Sequence, residues 1–486
     1  MSKEITNLEP KALWDHFYQL TQIPRPSKKE VRIQEFMMNF GKSLGLETIK
    51  DETGNIIIRK PATPGMENRK GVVLQGHLDM VPQKNNDTKH DFENDPIDAY
   101  IDGDWVTAKG TTLGADNGIG VAAAMTVLAD KNLQHGPIEA LFTCDEETGM
   151  TGAFGLKPDV LKGDILLNMD SEDEGELYVG CAGGVDASIE FEYEQVIVPS
   201  GMKAFDLVVS GLKGGHSGMD IILGLGNANK LLVRFLKYAV TELDVRLAGI
   251  NAGGLRNAIP REGTATIVVP EENADALKKA VAEYEAVYKT ELVSREPNLS
   301  FVAKEAEMPK SLIDEAVQDG LIDSVNACPN GVIRMSDDMP GLVETSTNLA
   351  SVKSENGTVS IQCLLRSSVD SAKQYLSERI DSVFSLAGAT VVFAGGYPGW
   401  KPNMASPILK QMQNIYNDKY GKVPEIKAIH AGLECGLLGA VYPNWDMISF
   451  GPTIRSPHSP DEKVHIASVK KFWDFLVETL KDVEEK

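Results

Sequence analysis

The spacing of apolar positions along the chain changes period several times. Residues 13–40 carry apolar side chains at helical spacing, whereas Gly71-Val-Val-Leu-Gln75 is an apolar run of strand length. Residues 121–130 return to a helical pattern, and residues 137–143 and 164–168 are again short apolar runs. Continuous rather than alternating apolar strands are buried on both faces, as in a mostly parallel sheet flanked by helices. Residues 445–450 repeat that signature, so the sheet is expected to resume near the C-terminus.

Two glycine-rich stretches, Gly180-Cys-Ala-Gly-Gly184 and Ala394-Gly-Gly-Tyr-Pro-Gly-Trp400, read as turns where the chain leaves one domain and re-enters it. The segment between them predicts strands at 205–209, 265–269 and 359–364 and amphipathic helices at 274–292 and 372–387, an α+β pattern. The expected fold class is α/β, a mostly parallel sheet with an inserted α+β domain. The expected boundaries are residues 1–186 with 400–486 for the first domain and 187–399 for the insert. A single large α/β domain is the alternative that the pattern leaves open.

Composition narrows the function. A chain of 486 residues exceeds what one core usually serves, and 42% hydrophobic with 24% charged residues is ordinary globular usage. The formal charge of −22 repels phosphate backbones and anionic headgroups, so neither nucleic acid nor a membrane is an expected partner. The first residues lack an apolar stretch behind a basic start, and a cytoplasmic location is expected. Five cysteines without a CxxC pair argue against a disulfide framework or a cysteine zinc site, and predict buried, reduced thiols.

The candidate chemistry lies just after apolar strands or at a helix start: His77-Leu-Asp79, Asp116 in Gly114-Ala-Asp-Asn-Gly118, Glu146 and Glu147, Asp170, and His458. In open α/β sheets, ligands bind beyond the carboxyl ends of the strands, so these motifs are expected to converge. Two imidazoles and three carboxylates suit zinc, and the set is large enough for two ions. Asp116 has two oxygens and is the candidate bridge between ions about 3.5–4 Å apart. His77 with Asp170 would complete one ion and Glu147 with His458 the other, a partition that spacing alone does not fix. Asp79 is placed to accept the second N–H of His77 and set its tautomer. Glu146 and Glu147, as neighbours on an extended segment, would diverge, leaving Glu146 as general base toward the bound water. Taken singly, each motif has a blander reading as a cap, a turn or a solvated acidic pair. The Gly114–Gly120 turn lacks the spacing or lysine of a nucleotide loop.

Together these motifs resemble the two-zinc aminoacylase/carboxypeptidase G metallopeptidase family, and the resemblance spans nearly the whole chain. Residues 73–86, 110–118 and 430–436 are similar to the members of that family that cleave Xaa-His dipeptides. The resemblance implies His77, Asp170, Glu147 and His458 as terminal ligands, Asp116 as bridge, Asp79 as the residue orienting His77, and Glu146 as base. It further implies a lid that shares in dimer contacts, with His216 in Gly214-Gly-His-Ser-Gly218 stabilising an oxyanion. Asn257 and Arg366 would bind the substrate backbone or carboxylate, and Glu434 is implied near the substrate. Outside the resemblance, His216 reads as a turn residue and Arg366 as a solvated strand residue. The expected cofactor is two zinc ions per chain, with cobalt or manganese as substitutes. The expected activity is hydrolysis of dipeptides with a free C-terminus, Xaa-His preferred and β-alanyl-histidine included, in a homodimer. Alternatives are a broader exopeptidase, an N-acyl amino acid amidohydrolase, or a non-catalytic metal-binding protein.

Overall fold

The computed structural model describes residues 3–486, which divide into two compact units. The first comprises the chain up to Gly180, Pro402–Ala428 and Leu433–Lys486; the second comprises Cys181–Lys401 and Ile429–Gly432.

The first unit is built on an eight-stranded mixed sheet. Its centre is the run Ile138–Thr143, Val72–His77, Ile165–Asn168 and Asp446–Ser449, all parallel. Every residue of Val72–His77 and Ile138–Thr143 is buried, as the unbroken apolar runs require. Antiparallel strands Ile56–Lys60 and Glu176–Cys181 flank this core. The helix Ala115–Ala129 is apolar on nearly all sides, and it packs against both the strand Val72–His77 and the helix Lys11–Thr21. The helical pattern of residues 13–40 is split into Lys11–Thr21 and Val31–Ser43, because Pro24 and Pro26 cannot sustain helical hydrogen bonds between them.

A separate four-stranded sheet orders Ile454–Arg455, Lys463–His465, Trp105–Ala108 and Ala99–Asp102. Lys463 lies opposite Thr107, so the turn that carries His458 and the loop leading to Asp116 leave neighbouring strands.

The second unit is a nine-stranded sheet whose described pairings are all antiparallel. Strands such as Gly263–Pro270 alternate buried and half-buried positions, the pattern of a sheet covered on one face. Helices Ala228–Leu243, Ala274–Glu291, Glu315–Ala327 and Asp370–Leu386 pack on its strands. Phe235 centres the core, its ring edge-on to Tyr284 and Phe301 at 5.1 Å each. Burying such a ring contributes about 1.5–3 kcal/mol.

The sequence-derived boundaries move by a few residues. Residues 181–186 belong to the second unit, because the strand Gly183–Glu192 pairs with Thr358–Ser367 from its first residue onward. Gly183 and Gly184 are thus strand residues: a Cβ on Gly184 would meet the Tyr397 ring at 2.7 Å. Residues 394–397 likewise finish the strand Thr390–Tyr397, and Ile429–Gly432 joins the second unit through bonds from Ala182 N–H to the Ile429 and Ala431 carbonyls. All five cysteines are buried and none forms a disulfide. Among the described residues, no helix is long and apolar enough to cross a membrane.

Candidate active site

His77 ends its strand, Asp145 to Glu147 follow the strand Ile138–Thr143, and Asp170 follows Ile165–Asn168. These are adjacent parallel strands, so their carboxyl ends deliver the three segments to one place. Glu146 and Glu147 do not lie on an extended segment. Asp145 takes a left-handed conformation (φ 52°) and starts the short helix Glu146–Gly149, so the two glutamates diverge as neighbours on a helical turn instead.

Donor atoms from His77, Asp116 and Asp170 lie within 4.8 Å of one another, and so do those from Asp116, Glu147 and His458. Asp116 is common to both groups and uses a different oxygen in each. Its Oδ1 is 3.1 Å from His77 Nε2, and its Oδ2 is 3.2 Å from His458 Nε2. His77 Nε2 also lies 3.3 Å from Asp170 Oδ1, and His458 Nε2 lies 2.9 Å from Glu147 Oε2. Glu146 forms a further group with His77 and Glu147. The donor set is therefore two nitrogens and three carboxylates, arranged as two triads with a shared member. Asp170 Oδ1 and Glu147 Oε1 are buried and accept no hydrogen bond among the described residues. Acceptors desolvated without a donor are costly unless a cation faces them, so the residues present fit a pair of divalent ions.

Neighbouring groups hold this arrangement. His77 Nδ1 is 3.2 Å from the Asp79 carbonyl and 3.4 Å from Asp79 Oδ1, which leaves Nε2 toward the carboxylates. Asp79 in turn accepts the N–H of Glu146 (3.0 Å) and of Glu147 (3.2 Å) and the Ser27 hydroxyl (2.8 Å). It thereby ties the His77 loop to the two glutamates.

Burial pushes the Glu146 carboxyl well above the carboxylate range, with His77 opposing and Asp170 reinforcing. It lifts Asp170 to about 7 against the pull of His77. For Asp116, burial also acts upward, but hydrogen bonds from His458 and His77 outweigh it and hold the group far below its usual value. His458 is raised to about 11 by Asp116 and Glu147.

Glu434 begins the helix Glu434–Val441 and is buried in this same unit. Its Oε2 accepts from Gln75 Nε2 (2.7 Å) and the Thr143 hydroxyl (2.8 Å), while Oε1 has no partner among the described residues.

The remaining candidates lie in the second unit. His216 and Ala258 are paired on two short strands, which puts Asn257, with an exposed side chain, beside the His216 turn. His216 Nδ1 accepts the N–H groups of Gly218 (3.2 Å) and Met219 (3.1 Å), so its proton resides on Nε2. Burial, and then Arg366, lower its pKa, keeping the ring neutral. Arg366 is a buried strand residue rather than a solvated one. Its Nη1 donates to the Tyr397 hydroxyl (3.1 Å), and its Nε has no partner among the described residues. His430 lies in the same cluster, 2.7 Å from the Ser346 hydroxyl, and burial drives its pKa to about 3.

Sequence reasoning passed over Tyr397, His430, Arg25 and Glu462. His430 stood in a quoted motif without a role. Glu462, four residues past His458, and Arg25, between two prolines, were given no role, yet both are buried.

Residues 73–482 match peptidase family M20/M25/M40. Over 483 residues, 99% of this chain and 100% of the other, the chain is 52% identical to the cytosol non-specific dipeptidase of Escherichia coli (strain K12). The crystal structure of aminoacylhistidine dipeptidase from Vibrio alginolyticus superposes with a TM-score of 0.96 at 52% identity, covering 100% of this chain and 99% of that one. Aminopeptidase PepT from Bacillus cereus shares the fold at a TM-score of 0.58 and 15% identity, covering 98% of this chain and 99% of the other.

Proposed function

The chain belongs to peptidase family M20/M25/M40, and from that membership we propose that it hydrolyses dipeptides with a free C-terminus, Xaa-His among them, at a two-metal centre. It is a metallodipeptidase. The observation that carries the reading is the sharing of Asp116 between two donor triads, one on each of its oxygens. Zinc is the proposed metal, because nitrogen and carboxylate donors in small groups suit it; cobalt and manganese are the proposed substitutes. When bound, the paired ions supply Lewis acidity, which polarises an amide carbonyl and acidifies a water to near neutral pH.

The chain's own residues do the rest. His77 and Asp170 would hold one ion and Glu147 and His458 the other, with Asp116 reaching both groups. Asp79 keeps the proton of His77 on Nδ1, so that Nε2 is free to bind. Glu146, beside His77 but outside both triads, takes the proton of the attacking water and returns it to the leaving amine. A carboxyl whose burial raises its proton affinity suits accepting that proton. The neutral His216, with its proton on Nε2, suits a carbonyl oxygen gaining negative charge. Arg366, with an unpaired Nε, suits the terminal carboxylate, and Asn257 the peptide backbone. Glu434, with Oε1 unpaired, is assigned to the free amino group. A homodimer and a cytoplasmic location complete the proposal.

The test is release of histidine from β-alanyl-histidine and from α-linked Xaa-His dipeptides, using chelated protein before and after zinc is added. Zinc-dependent release is expected, with tripeptides and N-acetyl amino acids cut far more slowly. No release from any dipeptide by protein carrying two zinc ions would overturn the assignment.

A further inference from the structure

Glu462 occupies an unusual position for a carboxylate in a polar run. It is 2% exposed, and its two oxygens accept four consecutive backbone N–H groups. Oε2 takes those of Leu113 (2.8 Å) and Gly114 (3.0 Å); Oε1 takes those of Ala115 (2.8 Å) and Asp116 (3.2 Å). The loop is therefore curled around one side chain, and the last amide in the curl is that of Asp116 itself. Glu462 is anchored in turn, because its own carbonyl accepts the Thr107 hydroxyl (2.7 Å) on the strand Trp105–Ala108.

A second buried charge grips the same loop from its carbonyl side. Arg25 donates through Nη2 to the Gly114 carbonyl, and through Nη1 to the carbonyls of Leu78 and Asp79, both at 2.9 Å. It thus joins the loop before Asp116 to the loop after His77. The planar guanidinium fixes both directions at once, which an ammonium cannot do.

We infer that Glu462 is a positioning residue for Asp116, setting the direction of its carboxylate through the backbone of residues 113–116, with Arg25 as the opposing clamp. The inference rests on the proposed bridging role of Asp116. A bridge must address two ions about 3.5–4 Å apart with separate oxygens, so a small rotation of its backbone weakens both contacts. Glu462 also stands four residues after His458, so one side chain couples the loops that carry two members of the same triad.

Glu462→Gln in the full-length chain tests this, because the amide can face at most two of the four N–H groups with an acceptor. The readouts are affinity for each of two manganese or zinc equivalents by chelator competition, and the exchange-coupled electron paramagnetic resonance signal of the two-manganese form. The second equivalent is expected to bind about 10–100-fold more weakly, with loss of coupling, while far-ultraviolet circular dichroism is unchanged. Wild-type affinities and an intact coupled signal would overturn the inference. Should Glu462→Gln not fold, Arg25→Lys carries the test, with a smaller loss in the same direction expected and wild-type metal binding overturning it. Asp116→Asn is measured in parallel. If that variant keeps two coupled ions, the bridging reading itself fails; if it loses an ion while Glu462→Gln does not, only the positioning role falls.

Discussion

The strand-end loops of the first unit and the His216–Arg366 cluster of the second are both buried polar groups with unmet hydrogen-bonding capacity, but of opposite kinds. Around the metal-ligand candidates of the first unit, the unpartnered atoms include carboxylate oxygens of Glu147, Asp170 and Glu434. In the second, Arg366 Nε is a donor, accompanied by the Tyr397 hydroxyl and a neutral imidazole with its proton on Nε2. Unmet acceptors recruit cations and unmet donors recruit anions or carbonyl oxygens. The difference teaches that each fold concentrates one kind of unmet group, acceptors in the first unit and a guanidinium donor in the second. Parallel strand ends concentrate acidic loops, while the long antiparallel strands display Arg366 from a rigid surface.

The largest effect separates chemistry from binding within the first region. Glu146→Gln should lower kcat by about 10²–10⁴-fold while two metal ions stay bound, as measured by steady-state kinetics beside elemental analysis. Loss of metal from that variant would place Glu146 among the ligands instead.

Next in size is the second region alone. Arg366→Lys keeps the charge but loses the fork. Losing one charged hydrogen bond is worth about 1.5–3 kcal/mol, or about a 10- to 100-fold rise in KM with kcat little changed. Wild-type protein should discriminate against dipeptide amides, and the variant should lose most of that discrimination. An equal loss on both substrates would show that Arg366 does not meet the carboxylate.

How much of this contrast was legible in the sequence differs between the two regions. Loops carrying His77, Glu147 and Asp170 were legible because unbroken apolar strands end in acidic or histidine residues, and adjacent parallel strands must deliver their ends together. Arg366 was legible only by resemblance, since a strand pattern does not reveal that a guanidinium is buried against Tyr397. Arg25 and Glu462 gave no signal at all. Each is a charge in a turn-like run, and its burial depends on partners 53 to 349 positions away. The domain boundary slipped for a similar reason: Gly183 and Gly184 look like turn residues, but they are glycines because Tyr397 and Pro398 pack against them.

A smaller effect follows from pH, and here the two regions oppose each other. In metal-free protein, burial lifts both Asp170 and Glu434 to about 7, so the unfolded chain loses those protons first. Their contribution is full below about pH 4 and is lost as pH rises to about 7. His458, raised to about 11, runs the same way: its contribution is full below about 6.5 and lost toward 11. His430 is lowered to about 3, so its contribution is present above about 6.5 and lost as pH falls toward 3. Hydrogen exchange on metal-free protein should therefore show the first region less protected at pH 8 than at pH 5, and the second region the reverse. Zinc should remove the first trend, because binding requires deprotonated ligands. Parallel trends in the two regions would contradict the assigned charge states.

The finest comparison uses two glycines of like conformation, Gly114 (φ +72°) in the first region and Gly224 (φ +63°) in the second. An alanine in the left-handed region costs about 1–2 kcal/mol, partly offset by the reduced entropy of the unfolded chain. At Gly224 nothing lies within 4 Å of the added Cβ, so Gly224→Ala should cost about 1 kcal/mol in a denaturant melt and leave metal binding alone. At Gly114 the Cβ would meet Arg25 Nη2 at 2.6 Å and Met80 Sδ at 2.9 Å. The arginine must then withdraw from the Gly114, Leu78 and Asp79 carbonyls. Gly114→Ala should cost more than Gly224→Ala and weaken metal binding as well, since the clamp on the Asp116 loop opens from the same side. Equal stability losses with unchanged metal affinity would mean that the loop holds its shape without Arg25, leaving Glu462 as its sole support.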